Sequence, residues 1–499
     1  LEDQDFWRLS GIYRDVYLWK ANDTRLKNFN AIGDFDADSG NGKLDLTTVT
    51  EGDAVVLMEL IDPVESKSLL KTTISKDGSN EFTFNEVRPW SAEHPNLYTL
   101  VLSVMDDSGE VQEVIADRIG FRRVEIKDSV FEVNGVGVKL LGVNRHEHHP
   151  DTGHVVDRES MMKDIRALKR HNFNAVRTSH YPNVPEWYDL CDLYGIYVID
   201  EGNIETHEFG RHDKNVLNLS PEWKEPHIDR VRRMVERDIN HPSIVMWSTG
   251  NESGDGPNTN ATRDWMNERD PSRIVHYENS THILGGKGFG TDIVSRMYLE
   301  AKDMEEILDY WGPDRPIVLA EYVHAMGNSS GSIDAYWNKI WNNPRMTGAF
   351  VWDWMDQGLR QQIPYGLKDP WGRTDFMAYG GWWEDRLAIW NDNNFCMNGL
   401  LSADWTPHPG IRVMKYFQQP VEVERDGKRG LKITNRYDFT NLADALKLKW
   451  EVVEEGKVLS SGEETLPSIA ARTSEVVRLP AEAVAVKSDK ETFLNLSFV

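Results

Sequence analysis

Eight short apolar runs, rich in β-branched residues and separated by stretches of helical spacing, constrain this chain more than any other feature. They cover 138–143, 174–177, 196–199, 243–246, 274–277, 292–294, 317–320 and 348–351, and they end near His146, His180, Asn203, Glu252, Glu278, Tyr298, Glu321 and Trp354. A run that is apolar at successive positions is buried on both faces, as strands of parallel sheets are. Helical spacing lies between the runs at 158–171, behind Asp157 as N-cap, and at 185–194, 221–239, 262–268, 304–311 and 333–341. Eight such alternations over roughly 250 residues predict a (β/α)8 barrel. The alternative is a doubly wound open sheet, and it is disfavoured because no Gly-rich phosphate loop follows the first run.

Flanking the barrel, the pattern changes to short alternating strands with Asp-Gly, Ser-Gly and Asn-Gly breaks, as in 54–60 and 96–102 on one side and 431–434, 446–453 and 493–499 on the other. The expected architecture is therefore multidomain, α/β plus all-β, with a TIM barrel over 123–420 between two immunoglobulin-like β-sandwiches. The first sandwich covers 22–122. The second covers 421–499 and is incomplete or only just complete. Residues 1–21 form a separate N-terminal segment. Neither a solenoid repeat nor a low-complexity tract is present.

Composition narrows the partners. With 56 basic and 81 acidic residues, the formal charge is −25, which argues against nucleic acid or an anionic membrane as partner. No apolar stretch reaches the length of a transmembrane helix. The expectation is a soluble protein, cytoplasmic or periplasmic; a chain that opens on Leu1 does not allow export to be judged. Its two cysteines, Cys191 and Cys396, rule out a disulfide framework.

The chemistry is carried by two carboxylates. Glu252, in Trp247-Ser248-Thr249-Gly250-Asn251-Glu252-Ser253, and Glu321, in Leu319-Ala320-Glu321-Tyr322-Val323-His324, each close a strand-like run. In an eight-stranded barrel the C-terminal strand ends form the active-site face. Two carboxylates brought there are what glycoside hydrolysis needs, one to protonate the leaving oxygen and one to attack the sugar or activate water. Either glutamate alone is more often a solvated or ion-paired carboxylate; the two settings together are not.

A resemblance becomes specific at this point. Asn144-Arg145-His146-Glu147-His148-His149-Pro150, Thr178-Ser179-His180-Tyr181-Pro182-Asn183, Asp200-Glu201-Gly202-Asn203-Ile204-Glu205-Thr206-His207, Gly250-Asn251-Glu252-Ser253, Glu321-Tyr322-Val323-His324-Ala325-Met326-Gly327-Asn328, Trp352-Asp353-Trp354 and Asn394-Phe395-Cys396-Met397-Asn398-Gly399 follow one another in that order. This series resembles the large bacterial β-galactosidases of glycoside hydrolase family 2. The resemblance spans the whole chain and makes residues 1–21 the end of a jelly-roll sugar-binding domain. It also implies truncation at both ends, and for the full-length protein a homo-oligomer.

What the resemblance implies about the site is extensive. Glu252 becomes the general acid/base and Glu321 the nucleophile of a retaining exo-glycosidase that releases terminal β-D-galactose from β-galactosides such as lactose, with Tyr298 steadying Glu321. His146, His180, Asn251, His324, Trp352, Asn398 and Asp5 become sugar-binding residues, Trp352 as the stacking platform. Glu205, His207 and Glu252 would hold Mg²⁺; Asp5, Asn398 and the Phe395 carbonyl would hold Na⁺. A lone histidine at a strand end is usually structural, as are most of the 18 tryptophans, so these roles rest on the resemblance. The chain departs from it at Tyr379-Gly380-Gly381-Trp382-Trp383-Glu384-Asp385, where many relatives carry an acidic, Gly-rich segment; that difference bears on the leaving-group side. The alternatives are a β-glucuronidase or β-mannosidase of the same family, or an inactive carbohydrate-binding piece.

Overall fold

The computed structural model describes residues 6–207, 216–282, 290–311, 314–383, 391, 393–484 and 490–499. They form two compact units, 1–417 and 418–499.

The first unit is built on eight parallel strands: β1 (Leu140–Asn144), β2 (Ala175–Arg177), β3 (Tyr197–Glu201), β4 (Ile244–Ser248), β5 (Ile274–His276), β6 (Val294–Met297), β7 (Ile317–Tyr322) and β8 (Met346–Val351). All eight runs expected from sequence are present. Their order is β5-β4-β3-β2-β1-β8-β7-β6, so sequential strands are neighbours and β1 pairs with β8 in parallel, Gly142 opposite Phe350. At the seam between β5 and β6 the Asp292 amide donates to the Val275 carbonyl at 2.8 Å, and the Val275 amide to Asp292 Oδ2 at 2.8 Å. The result is a nearly closed TIM barrel with separate antiparallel sheets beside it.

Helices α1 (Arg158–Arg170), α2 (Pro185–Tyr194), α3 (Lys224–Asp238), α4 (Pro257–Arg269), α5 (Met304–Tyr310) and α6 (Ile333–Asn342) lie between the strands. The Asp157 carboxylate accepts from the Ser160 amide at 2.8 Å, capping α1 as expected; such a cap stabilises a helix by about 1 kcal/mol. Met161, Ile165 and Leu168 recur on the buried face of α1 and join Val143, Val176 and Trp187 in the core. Helix α4 starts five residues before the expected 262. Its first turn is polar, but Asn258 is buried and donates to the carbonyls of Leu217 and Ser220. Tertiary hydrogen bonds there replace the apolar signal.

Seven strands between Arg25 and Ile119 form two antiparallel sheets, one of three strands and one of four, around Leu44, Leu46, Met58, Leu60, Leu100 and Leu102. Arg122 joins this sandwich to the barrel. It is buried and donates to the carbonyls of Pro242 at 2.9 Å and Ile244 at 2.8 Å, below β4. The second unit has two three-stranded antiparallel sheets around Leu431, Ile433, Leu448, Trp450 and Val452. The chain therefore has the expected fold class, a TIM barrel flanked by β-sandwich domains. No described helix is long and apolar enough to cross a membrane.

Candidate active site

Glu321 and Glu252 reach one face of the barrel by different local means. Glu321 is the penultimate residue of β7. Glu252 lies four residues beyond β4, after Gly250, which has φ +154°. A Cβ on Gly250 would stand 2.5 Å from the Ile204 carbonyl, so only glycine lets the Asn251 amide donate to that carbonyl at 2.8 Å. That bond draws segment 250–252 onto segment 204–207. Both glutamates are buried, at 4 % and 7 % exposure.

The organising side chain is Arg177, at the end of β2. Its five N–H groups all find acceptors: Glu201 Oε2 at 2.7 Å and Oε1 at 2.9 Å, Asn144 Oδ1 at 2.9 Å, Glu321 Oε1 at 2.9 Å and Asn251 Oδ1 at 2.8 Å. Five segments, at the ends of β1, β2, β3, β4 and β7, are tied to one guanidinium. Against the cost of burial, Glu201 and Glu321 raise its pKa further. Glu201 also accepts from Ser248 Oγ at 2.7 Å and His180 Nδ1 at 2.8 Å. The His276 imidazole, next to Ser248 Oγ at 3.1 Å, is pushed down to about 3 by burial and Arg177.

Glu321 accepts at both oxygens, from Arg177 at one and from the Tyr298 hydroxyl, 2.8 Å away, at the other. Burial pushes its pKa up to about 8; the Arg177 charge opposes this and the Glu252 charge adds to it. A proton on Glu252 would remove the smaller, repulsive part of that rise and leave the part due to burial. The contacts made to Glu321 are donors, so they favour its ionised form against that burial.

Glu205, His207 and Glu252 form a second cluster, with His207 Nε2 2.8 Å from Glu205 Oε1 and 2.5 Å from Glu252 Oε2. Their ligand atoms all lie within 4.8 Å of one another. Burial opposes charge on His207, but hydrogen bonds to the two glutamates raise it to about 10. Two carboxylates and one imidazole, with Asn251 Nδ2 donating to Glu205 at 2.8 Å, make a donor set that fits a hard divalent cation.

The other expected residues line the same rim. His180 donates through Nδ1 to Glu201, so the hydrogen-bond network assigns Nε2 as its acceptor; that atom is 3.9 Å from Glu321 Oε1 and 3.4 Å from Asn251 Nδ2. His180 stacks on Trp352 at 5.0 Å and 11°, which covers one face of the indole. His146 packs perpendicular to that indole, with ring centroids 5.4 Å apart and planes at 90°. Burial holds His146 and His180 well below the usual histidine range, so both imidazoles are neutral. Neither ring nitrogen of His146 has a hydrogen-bond partner among the described residues, and the same is true of His324 Nε2, Asn398 Oδ1 and Gln357 Oε1. Phe395 packs against His324 at 5.2 Å. Asn398 is fastened to the end of β8 through its carbonyl, which accepts from the Asp353 amide at 3.0 Å. Asp5 lies outside the described residues. The N-terminal segment reaches this rim, where Phe6 meets the His146 ring at 5.1 Å and Arg14 pairs with Glu147 at 2.6 Å.

Sequence reasoning missed Arg177, Glu201 and Asn144. For Arg177 and Glu201 the available signal was a charged residue inside an otherwise apolar strand, which must have a partner when buried.

The barrel region, residues 124–423, matches the model for the TIM barrel domain of glycosyl hydrolases family 2; residues 24–122 match glycosyl hydrolases family 2, and 431–499 match domain 4 of beta-galactosidase. The chain belongs to glycosyl hydrolase family 2. Among curated proteins it is similar to the beta-galactosidases of Photobacterium profundum, 40 % identical over 99 % of this chain and 49 % of that protein, and of Vibrio vulnificus (strain YJ016), 39 % identical over 93 % and 46 %. It thus spans about half the length of these relatives. Its fold is similar to that of a Bifidobacterium dentium beta-glucuronidase complexed with coumarin-3-O-glucuronide, with TM-score 0.63 and 22 % identity, covering 80 % of this chain and 67 % of that one.

Proposed function

We propose that the chain carries the catalytic apparatus of a retaining exo-β-galactosidase. The observation that carries this reading is the pair Glu252 and Glu321 on the barrel rim, with Glu321 held by Arg177 and Tyr298. Similarity to beta-galactosidases at about 40 % identity supports the choice of sugar.

Glu252 begins protonated and gives its proton to the glycosidic oxygen. Glu321, as carboxylate, attacks the anomeric carbon, so a C–O bond to Glu321 forms as the bond to the aglycone breaks. Glu252, now a base, takes a proton from water, and the water oxygen displaces Glu321 to release galactose. The retaining reading calls for a carboxyl separation of about 5 Å. Tyr298 and Arg177 hold the nucleophile in place. His146, His180, Asn251, His324 and Asn398 bind sugar hydroxyls, since neutral imidazoles and amides can both donate and accept. Trp352, almost wholly buried and stacked on His180, is assigned as the platform for the apolar side of the pyranose.

Glu205, His207 and Glu252 would hold Mg²⁺, whose charge would tune the acid/base. Asn398 and the Phe395 carbonyl, with Asp5, are assigned to Na⁺. The domain division at 1–21, 22–122, 123–420 and 421–499, lactose as a substrate, a soluble location and oligomerisation of the full-length protein belong to the same reading.

A glucuronidase needs a basic group for the sugar carboxylate, and the residues assigned near the 6-position are Asp5 and Asn398. The test is hydrolysis of aryl β-galactoside, β-glucuronide and β-mannoside with Mg²⁺ and Na⁺ present, by the chain and by a full-length form. Selective galactoside turnover that Glu321→Gln abolishes is expected. Turnover of the glucuronide or mannoside in preference to the galactoside refutes the reading.

A further inference from the structure

A second concave surface lies beside the catalytic rim. A hairpin leaves β8, with Leu359–Gln362 paired to Asp375–Ala378. Between it, the loop after β1 and residues 382–383 lies a cleft of about 700 Å³, lined by Asp151, Arg360, Gln362, Tyr365, Trp382 and Trp383 among others.

Its chemistry is specific. Tyr365 is 95 % exposed and the two indoles are half-buried, so apolar rings are presented where water would otherwise lie. Arg360 is fixed by Asp151 at 2.8 Å through Nε and by Asp375 at 2.6 Å through one terminal nitrogen. Its other terminal nitrogen makes no hydrogen bond or ion pair among the described residues, and its charge is outweighed by two carboxylates. The Gln362 amide is exposed and makes no side-chain hydrogen bond among the described residues. Flat rings, an amide that donates and accepts, and a guanidinium with spare N–H groups flanked by two carboxylates suit a neutral polyol. They do not suit an acidic sugar or a phosphate, which need uncompensated positive charge.

The cleft is joined to the catalytic rim. Trp383 meets Trp7 edge to face at 5.4 Å; the Trp7 indole N–H donates to the Gln357 carbonyl, and the next residue along, Phe6, packs on His146. The Arg360 amide donates to the Pro150 carbonyl at 2.8 Å, and His148 Nε2 is 2.9 Å from the Gly358 carbonyl. The loops after β1 and β8 therefore carry both the expected sugar-binding histidine and the cleft.

We propose that this cleft binds a neutral oligosaccharide, and that it takes the leaving-group end of an extended β-galactoside. The second clause rests on the functional reading above; saccharide binding by the cleft does not.

The test is calorimetric binding to the Glu321→Gln chain, which prevents turnover. The probes are galactotetraose, cellotetraose, mannotetraose, their monosaccharides and tetragalacturonate, with and without Tyr365→Ala/Trp382→Ala. A neutral tetrasaccharide is expected to bind at least about tenfold tighter than its monosaccharide, and the paired substitution is expected to erase that advantage while the thermal midpoint is retained. The single variant Gln362→Ala, on an exposed side chain, should weaken tetrasaccharide binding even if the paired variant misfolds. The proposal is overturned if no neutral tetrasaccharide outbinds its monosaccharide, if tetragalacturonate binds equally well, or if the advantage survives the substitutions. A tetrasaccharide advantage combined with no aryl β-galactoside turnover by the unsubstituted full-length form upholds the cleft and sinks the galactosidase reading instead.

Discussion

The two ends of the barrel differ in their buried polar groups, although the lower end too has hydroxyls, at Ser243 and Thr347, that no described group answers. Below the strands, cations are answered by backbone carbonyls and carboxylates. Arg273 donates to the carbonyls of Ile244, Ile239 and His241 and to Asp270, and Lys139 donates to those of Asn343 at 2.8 Å and Met346 at 2.6 Å. Above the strands, His146, His324, Asn398 and Gln357 hold buried polar atoms that no described group answers. Leaving such an atom unanswered costs about 1–3 kcal/mol. One end is arranged for stability and the other keeps hydrogen-bonding capacity for a ligand. The rim's own order comes from Arg177 instead, which is fully committed within the protein.

The largest effect should come at the rim. Glu321→Gln is expected to lower kcat by at least about 10³-fold while leaving the unfolding midpoint within a few degrees, because the amide still accepts from Arg177. A large fall in stability would mean that Glu321 is mainly structural. The mirror experiment is Arg273→Met, which strands the buried Asp270, held down to about 2 against the effect of burial by Arg273, Ser272 and Trp247. A stability loss of about 3–5 kcal/mol is expected in denaturant unfolding, with kcat/KM of the folded fraction unchanged. Equal loss of both quantities would erase the distinction between the two ends.

The sequence showed the lower end and the frame far better than the rim. Strands such as Ile317–Tyr322 are buried at every position, so their run of apolar residues is visible locally. Glu252 and Glu321 were legible because each closes such a run. Arg177 was not, because its acceptors come from Asn144, Glu201, Asn251 and Glu321, whose convergence exists only once the barrel closes. The polar first turn of α4 was missed for a related reason. Its burial is balanced by the distant carbonyls of Leu217 and Ser220, not by apolar spacing. Periodicity reports burial against oil; it is silent about burial against hydrogen bonds.

A pH titration sharpens the comparison at the lower end. Burial opposes charge on His241, but Asp192, 2.6 Å from its Nδ1, raises it to about 9. A histidine raised in the folded state contributes stability that is full below its unfolded pKa of about 6.5 and is lost as pH climbs through the folded value. Stability should therefore fall by on the order of 3 kcal/mol between about pH 6.5 and 9, and His241→Gln should flatten that slope. A slope that persists in the variant would assign it to other groups.

The smallest and most discriminating effect is expected at His146. Its ring is neutral, buried and unanswered at both nitrogens, packed against Phe6, His180 and Trp352. His146→Phe keeps a ring in that space and removes two polar atoms, so the folded protein loses no hydrogen bond and sheds a desolvation cost. Stability should stay level or rise by about 1 kcal/mol. Sugar binding should move the other way, with KM for an aryl β-galactoside rising about tenfold or more as its hydroxyls lose a partner. A variant that is both less stable and unchanged in KM would show that His146 is ordinary packing, and that the upper end withholds nothing for a ligand at this position.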